Sequence, residues 1–163
     1  RIISRTHYLL LPPLGFILFF AGMVDARANQ IIETTGNVLA YVLPATAVGA
    51  ILYFKDKEGI LQFGESAVLT TGVTCGLKYT IHEDRPNGGK HSFPSMHASI
   101  SFSSAEFIRK RYGWDYGMPA YIAATFVAFS RVESKQHYTY DAIAGAIIGL
   151  ASSYLLATPF KGL

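Results

Sequence analysis

The sequence predicts an all-α fold, a polytopic membrane bundle of about six transmembrane helices whose polar chemistry is gathered at one membrane face. Three observations carry this. Hydrophobic residues make up 50% of the 163-residue chain. Charged residues make up 15%, where an average soluble protein carries about 25%. The polar residues are not scattered but concentrated in a few short segments between apolar runs. No repeat or long linker interrupts the pattern, so residues 1–163 read as one domain.

Each element follows from an apolar run, since a membrane span needs about 20 mostly apolar residues. Tyr8–Val24 is the first, with Pro12 and Pro13 expected to kink it or delay its start. Arg1, Arg5 and the later Ala26-Arg27-Ala28 give it the look of a signal peptide with its cleavage site. It reads instead as an uncleaved span, in a chain that opens on Arg1 and so looks trimmed at its start. Val38–Phe54 and Ile60–Ile81 are the second and third spans. Pro94–Ile108 is weaker and serine-rich, and Met118–Val132 and Tyr140–Phe160 complete the set.

Six spans put alternate loops on opposite sides. One side holds eight of the 14 Lys and Arg residues, among them Lys55, Lys57, Arg109, Lys110 and Arg111. The other holds six, of which Lys78, Arg85 and Arg131 carry chemistry. Cytoplasmic loops hold the excess of Lys and Arg, so the first side is expected to be cytoplasmic, with Tyr112, Trp114 and Tyr116 at its boundary. The basic residues fall between apolar runs rather than on one face, which argues against nucleic acid as a partner. The single Cys75 lies in an apolar run and reads as a small core residue.

The outer side carries "KYTIHEDRPNGGKHSFPSMH" and "SRVESKQHYTYD", and nothing similar is expected on the cytoplasmic side. Charged groups at helix ends in a membrane bundle are costly and functional by default. Lys78 and Arg85 are seven apart, so a continuing helix places them on one face. With Arg131 they make three cations suited to an anion with several oxygens. Pro94 suits the first turn of a helix, which aims the amides of Ser95, Met96 and His97 at an anion. His137 and Asp141 are four apart and share a helix face with Gly145, Gly149 and Ser153. The small-xxx-small pair Gly145 and Gly149 turns that face into the bundle. A carboxylate on one imidazole nitrogen leaves the other free as a nucleophile.

The blocks Lys78-x6-Arg85-Pro86, Pro94-Ser95-Met96-His97 and Ser130-Arg131-x5-His137-x3-Asp141 resemble the three-part signature of the type 2 phosphatidic acid phosphatase superfamily. That superfamily joins membrane lipid phosphate phosphatases and soluble vanadium haloperoxidases. The resemblance implies that His137 attacks phosphorus, that Asp141 orients it, and that His97 protonates the leaving oxygen. It implies that Lys78, Arg85, Ser95, Met96 and Arg131 hold the phosphoryl oxygens, with no metal and no cofactor. The partners implied are a lipid phosphate and the bilayer, and the site is expected on the periplasmic or outer face of a bacterial inner membrane. Candidate headgroups are undecaprenyl diphosphate, phosphatidylglycerol phosphate, phosphatidic acid and lipid A. "RPNGGKHSFPS" resembles small bacterial members, lipid A phosphatases among them. Met96 departs from the family's usual glycine, and it is expected to keep helical φ and turn its thioether away from the phosphate. Two other readings stay open: a vanadate-dependent haloperoxidase, against which the apolar spans argue, and a non-catalytic phospholipid-binding protein. A metal held by His82, Glu83, Asp84 and His91 is disfavoured, because adjacent residues do not share a helix face. The sequence leaves the oligomeric state open.

Overall fold

The computed structural model describes the backbone of residues 12–162, with side chains from Arg27 onward. Five helices follow in order: α1 Pro12–Tyr53, α2 Lys57–Thr80, α3 Met96–Tyr112, α4 Trp114–Glu133 and α5 Thr139–Leu156. The first and second expected spans are joined in one 42-residue helix. Segment 25–37 between them holds no proline, so nothing breaks the backbone ladder. Ala26-Arg27-Ala28 lies inside α1, whereas Arg1, Arg5 and the start of the first expected span lie outside the described residues. At about 1.5 Å per residue, α1 exceeds the roughly 30 Å of one hydrocarbon crossing. Two described segments, Arg27–Tyr53 and Thr139–Leu156, are long and apolar enough to cross a bilayer.

The serine-rich α3 sits at the centre, packed against all four other helices. Ala98, Ser99, Ser101, Ser103, Ser104 and Ala105 are all buried. This explains its weak hydropathy: a helix surrounded by helices needs small side chains for close approach, not apolar bulk for lipid. The α5 glycines do what their spacing predicts. A Cβ on Gly145 would lie 2.4 Å from the Ser95 carbonyl oxygen, and one on Gly149 would lie 2.1 Å from that of Ser99. Hydroxyls then stitch the seam. The Ser103 and Ser153 hydroxyls lie 2.9 Å apart, Thr70 donates to Ser103 at 3.1 Å, and Thr74 donates to Ser99 at 3.0 Å.

α2 is inside-out. Gln62, Ser66, Thr70 and Thr74 face inward at steps of four, while Leu61 and Val68 are 69% and 74% exposed. Polar inside and apolar outside suits lipid, where backbone and hydroxyl groups need internal partners and Leu or Val does not. Cys75 is half-buried rather than core. Trp114 and Tyr116, expected at a membrane boundary, are exposed at the α3–α4 corner. Tyr112 is not: it is buried, stacked on Phe54 at 4.9 Å.

The end of the bundle near that corner also carries chemistry that the sequence reading denied it. Arg111 is buried and grips Asp56 with two hydrogen bonds of 2.6 Å. It also donates to the Thr158 carbonyl at 2.9 Å and meets Glu58 at 3.2 Å. Tyr112 donates its hydroxyl to Asp56 at 3.0 Å. Asp56 caps α2 by accepting from the Gly59 amide at 2.9 Å. Arg109 pairs with buried Glu106, with Nε to Oε2 at 2.7 Å. Two of the eight cations counted toward the cytoplasmic side are therefore structural, which narrows the charge asymmetry.

Candidate active site

α2 stops at Thr80, and the chain turns back over the bundle end through residues 81–95. Lys78 and Arg85 therefore do not share a helix face. The loop brings them together instead. Its turn closes through Arg85 N–H to the Gly89 carbonyl at 2.7 Å, with Gly88 at φ +86°, a conformation that glycine adopts without cost. Lys78 reaches up and donates to the carbonyls of His91 at 2.7 Å and Ser92 at 3.2 Å. Arg85 donates to the Lys90 carbonyl at 3.2 Å and to the Gln136 side-chain oxygen at 3.0 Å. Arg131, at the end of α4, is buried and donates to Asn37 Oδ1 at 2.7 Å and to the Glu33 carbonyl at 2.9 Å, both on α1. Gly36 makes this approach possible, since a Cβ there would lie 1.8 Å from the Ser130 hydroxyl.

Pro94 does not open α3. Ser95 is the N-cap, its hydroxyl accepting from the Ala98 amide at 3.4 Å, and the helix begins at Met96. Ser95 is fully buried, and its own amide donates to the Asp141 carbonyl at 3.0 Å. It is thus turned away from the expected phosphate site, and its work is to pin α3 to α5. The amides of Met96 and His97 take no partner among the described residues, as the first turn of a helix leaves them. Met96 begins the helix with negative φ, as expected.

His137 stands in the turn before α5 rather than on it, and Asp141 lies in the first turn of that helix. Their side chains still meet, with Nδ1 to Oδ2 at 3.4 Å. Asp141 is fully buried, and the same Oδ2 accepts from the Tyr138 amide at 2.9 Å and from the Ser92 hydroxyl at 2.5 Å. Ser92 also lies 3.4 Å from His137 Nδ1. Since its proton goes to Asp141, it offers the imidazole only lone pairs. Both neighbours of Nδ1 are then acceptors, which places the ring hydrogen there and leaves Nε2 with a free lone pair. Burial pushes the His137 pKa down to about 4, and the charges of Arg85 and Lys78 push the same way against Asp141. At neutral pH the ring is uncharged.

These groups enclose one cavity of about 320 Å³, lined by Lys78, Arg85, Met96, His97, Arg131 and His137, with Glu33, Asn37 and Gln136 completing its wall. Met96 forms part of the wall and leaves the cavity open. Of the eight residues expected from sequence, six line it, Asp141 stands behind His137, and Ser95 is withdrawn into the α3–α5 seam. Among the described residues, none of the three cations has a carboxylate within ion-pair distance. Of the four loop residues considered as metal ligands, Glu83 accepts from Tyr140, and Asp84 pairs with Lys90 at 2.8 Å. Sequence reasoning missed Ser92, although it lies in the same short polar run as His97. It also missed Glu33 and Asn37, whose i, i+4 spacing falls in a segment read as a connecting loop.

The PAP2 superfamily model matches residues 86–161, which take in the second and third blocks. A lipid A 4′-phosphatase of Helicobacter pylori strain J99 is 29% identical over 143 residues, spanning 80% of this chain and 72% of that protein. A lipid A 1-phosphatase of Porphyromonas gingivalis is 31% identical over 87 residues, which are 50% of this chain and 19% of that larger protein. The fold is similar to the crystal structure of Aquifex aeolicus LpxE, with a TM-score of 0.66 and 19% identity over 77% of this chain and 84% of that one. It is also similar to a transmembrane PAP2-type phosphatidylglycerolphosphate phosphatase of Bacillus subtilis, with a TM-score of 0.63 and 21% identity over 79% and 74% of the two chains.

Proposed function

We propose that this chain, which belongs to the PAP2 superfamily and is a membrane-associated lipid phosphatase, removes a phosphate monoester from a lipid A-type headgroup through a phosphohistidine. The observation that carries this reading is a cavity with three cations, two histidines and no carboxylate paired to any of the cations. A phosphoryl dianion supplies the missing negative charge. The lipid A headgroup rests on the two curated relatives, which act at the 4′ and 1 positions by their names.

In this reading Lys78, Arg85, Arg131 and the amides of Met96 and His97 bind the phosphoryl oxygens. His137 Nε2 attacks phosphorus, forming the P–N bond as the bond to the lipid oxygen breaks. The electron pair leaves on that oxygen, and His97 gives it a proton. General acid help of this kind contributes about 10²–10⁴ in rate. Positive charge on the phosphorylated ring spreads to Nδ1–H, where Asp141 and Ser92 receive it. Water then attacks phosphorus while neutral His97 takes its proton, the P–N bond breaks, and phosphate leaves. Donors already aimed at the developing charge need no reorganisation during the step, and each is worth about 10²–10³.

The site opens on the periplasmic or outer face of a bacterial inner membrane in this proposal, with the lipid tails remaining in the bilayer. Six crossings need the segment before Arg27 to form a separate span, and cysteine labelling on either side of the membrane tests both points. The activity itself is tested by phosphate release from lipid A in EDTA, comparing wild type with His137→Ala. The expected result is release by wild type and none by the variant. Equal release by both would remove His137 from the mechanism.

A further inference from the structure

Part of the cavity wall is not built for phosphate. Glu33 and Asn37 of α1 and Gln136 before α5 line it beside the three cations. Most of their polar atoms are committed. Asn37 Oδ1 accepts from Arg131 at 2.7 Å. Gln136 Oε1 accepts from Arg85 at 3.0 Å and from Asn87 at 3.2 Å. Gln136 Nε2 donates to Glu33 Oε1 at 3.1 Å. The second carboxylate oxygen of half-buried Glu33 has no such tie among the described residues.

A carboxylate in this place works against phosphate binding. It accepts hydrogen bonds and so does a phosphoryl group, and both are negative. Its complement must be a donor on the rest of the substrate. An ammonium is a poor candidate, because Lys78, Arg85 and Arg131 share the cavity and repel it. A neutral hydroxyl or amide N–H meets no such penalty.

We infer that Glu33 is a specificity-determining residue that accepts a hydrogen bond from the alcohol half of the substrate. The inference rests on the phosphatase reading above and narrows it. The preferred substrate is a phosphomonoester on a sugar or other polyol, with hydroxyl or amide N–H groups beside the phosphate. Diacylglycerol phosphate has only ester oxygens there, so it leaves Glu33 unpaired. A prenyl diphosphate is worse, because it brings a second negative group and no donor to the carboxylate. A site built to hydrogen-bond a substrate hydroxyl rejects analogues lacking it far more strongly than an apolar pocket rejects a shape.

The test compares kcat/KM on a phosphorylated glucosamine lipid, phosphatidic acid and undecaprenyl diphosphate, for wild type, Glu33→Ala and Glu33→Gln. Wild type is expected to favour the sugar phosphate. Glu33→Ala lowers that activity about tenfold or more while phosphatidic acid stays within about twofold, so the preference collapses. Glu33→Gln keeps an acceptor and the tie to Gln136, and falls between the two. A parallel loss on all three substrates would assign Glu33 to holding Gln136 and Arg85 instead, and an unchanged preference would remove it from recognition; either result overturns the inference with the phosphatase reading intact. Wild type that releases phosphate from none of them would overturn that reading first, and the inference with it.

Discussion

The two ends of this bundle hold their cations in opposite ways. At the α3–α4 corner, Arg111 meets Asp56 and Glu58, and Arg109 meets Glu106. At the cavity, Lys78, Arg85 and Arg131 are held by carbonyls and side-chain amides that carry no charge. The first arrangement is electrically closed. Arg109 and Arg111 each have a counter-charge, so they need no ligand, and helix ends are fastened. The second is open. Neutral acceptors fix where the cations sit without cancelling them, and the positive potential remains for an incoming anion. Charge alone therefore does not mark a functional site in such a bundle; the nature of the partner does.

The largest expected effect breaks the closed end. Asp56→Ala leaves Arg111 buried beside Tyr112 without its two 2.6 Å bonds. Removing one partner of a buried pair costs about 3–5 kcal/mol. Thermal unfolding in detergent should show this loss, while kcat per folded molecule stays near wild type. A stable variant would mean that Glu58 alone satisfies Arg111. The open end should give the converse. Arg85→Met is expected to lower kcat/KM about 10²–10³-fold, the worth of one charge-stabilising donor. Stability should move by less than about 1 kcal/mol, since the half-buried side chain leaves no carboxylate unpaired. A large stability loss with little kinetic effect would place Arg85 with the closed end.

Between the ends runs the α3–α5 seam, and it should feel both readouts. Gly149→Ala puts a Cβ 2.1 Å from the Ser99 carbonyl oxygen. Overpacking of this kind costs about 1–3 kcal/mol. α3 must shift from α5, and with it the turn bearing His97 from the one bearing His137, so kcat should fall as well. Melting temperature and kcat measured together check this. A fall in stability alone would show that the cavity tolerates a change in helix spacing.

How much of this was legible beforehand depended on what each feature rests on. The spacing within each of the three blocks, Lys78 with Arg85, Ser95 to His97, and Arg131 with His137 and Asp141, is local, and short motifs preserve it. The Gly145–Gly149 face was legible for the same reason, because helical periodicity is a property of the chain. Ser95 was misplaced because proline at N1 and serine at the N-cap are one residue apart in the same sequence, and only the packing against Asp141 decides. Arg111–Asp56 was invisible because its partners are 55 residues apart. Glu33 and Asn37 were lost with the loop assigned between two spans. Segment 25–37 is polar enough to read as a connection, yet nothing in it stops a helix.

The smallest effect is on the pH profile, and it tests whether the open end acts on the nucleophile as well as the substrate. As the proposed nucleophile, His137 would attack only when neutral, so kcat/KM should rise with pH through its folded pKa of about 4. Burial is the main reason for that low value, with Arg85 and then Lys78 adding electrostatic repulsion. The unfolded pKa of histidine is about 6.5. The folded state thus binds this proton less readily, and stability too should decline as pH falls from about 6.5 toward 4. Arg85→Met removes one repulsive charge and nothing of the burial. The His137 pKa should therefore rise, but by less than about one unit, so the acid limb moves up by that amount. Taking the ratio of variant to wild-type kcat/KM at each pH cancels the ionisation of the common substrate. A ratio that falls below its neutral-pH value as the pH drops toward 4 is the expected outcome. A flat ratio would mean that loop and bound solvent screen Arg85 from His137, and that the cations of the open end serve the phosphate alone.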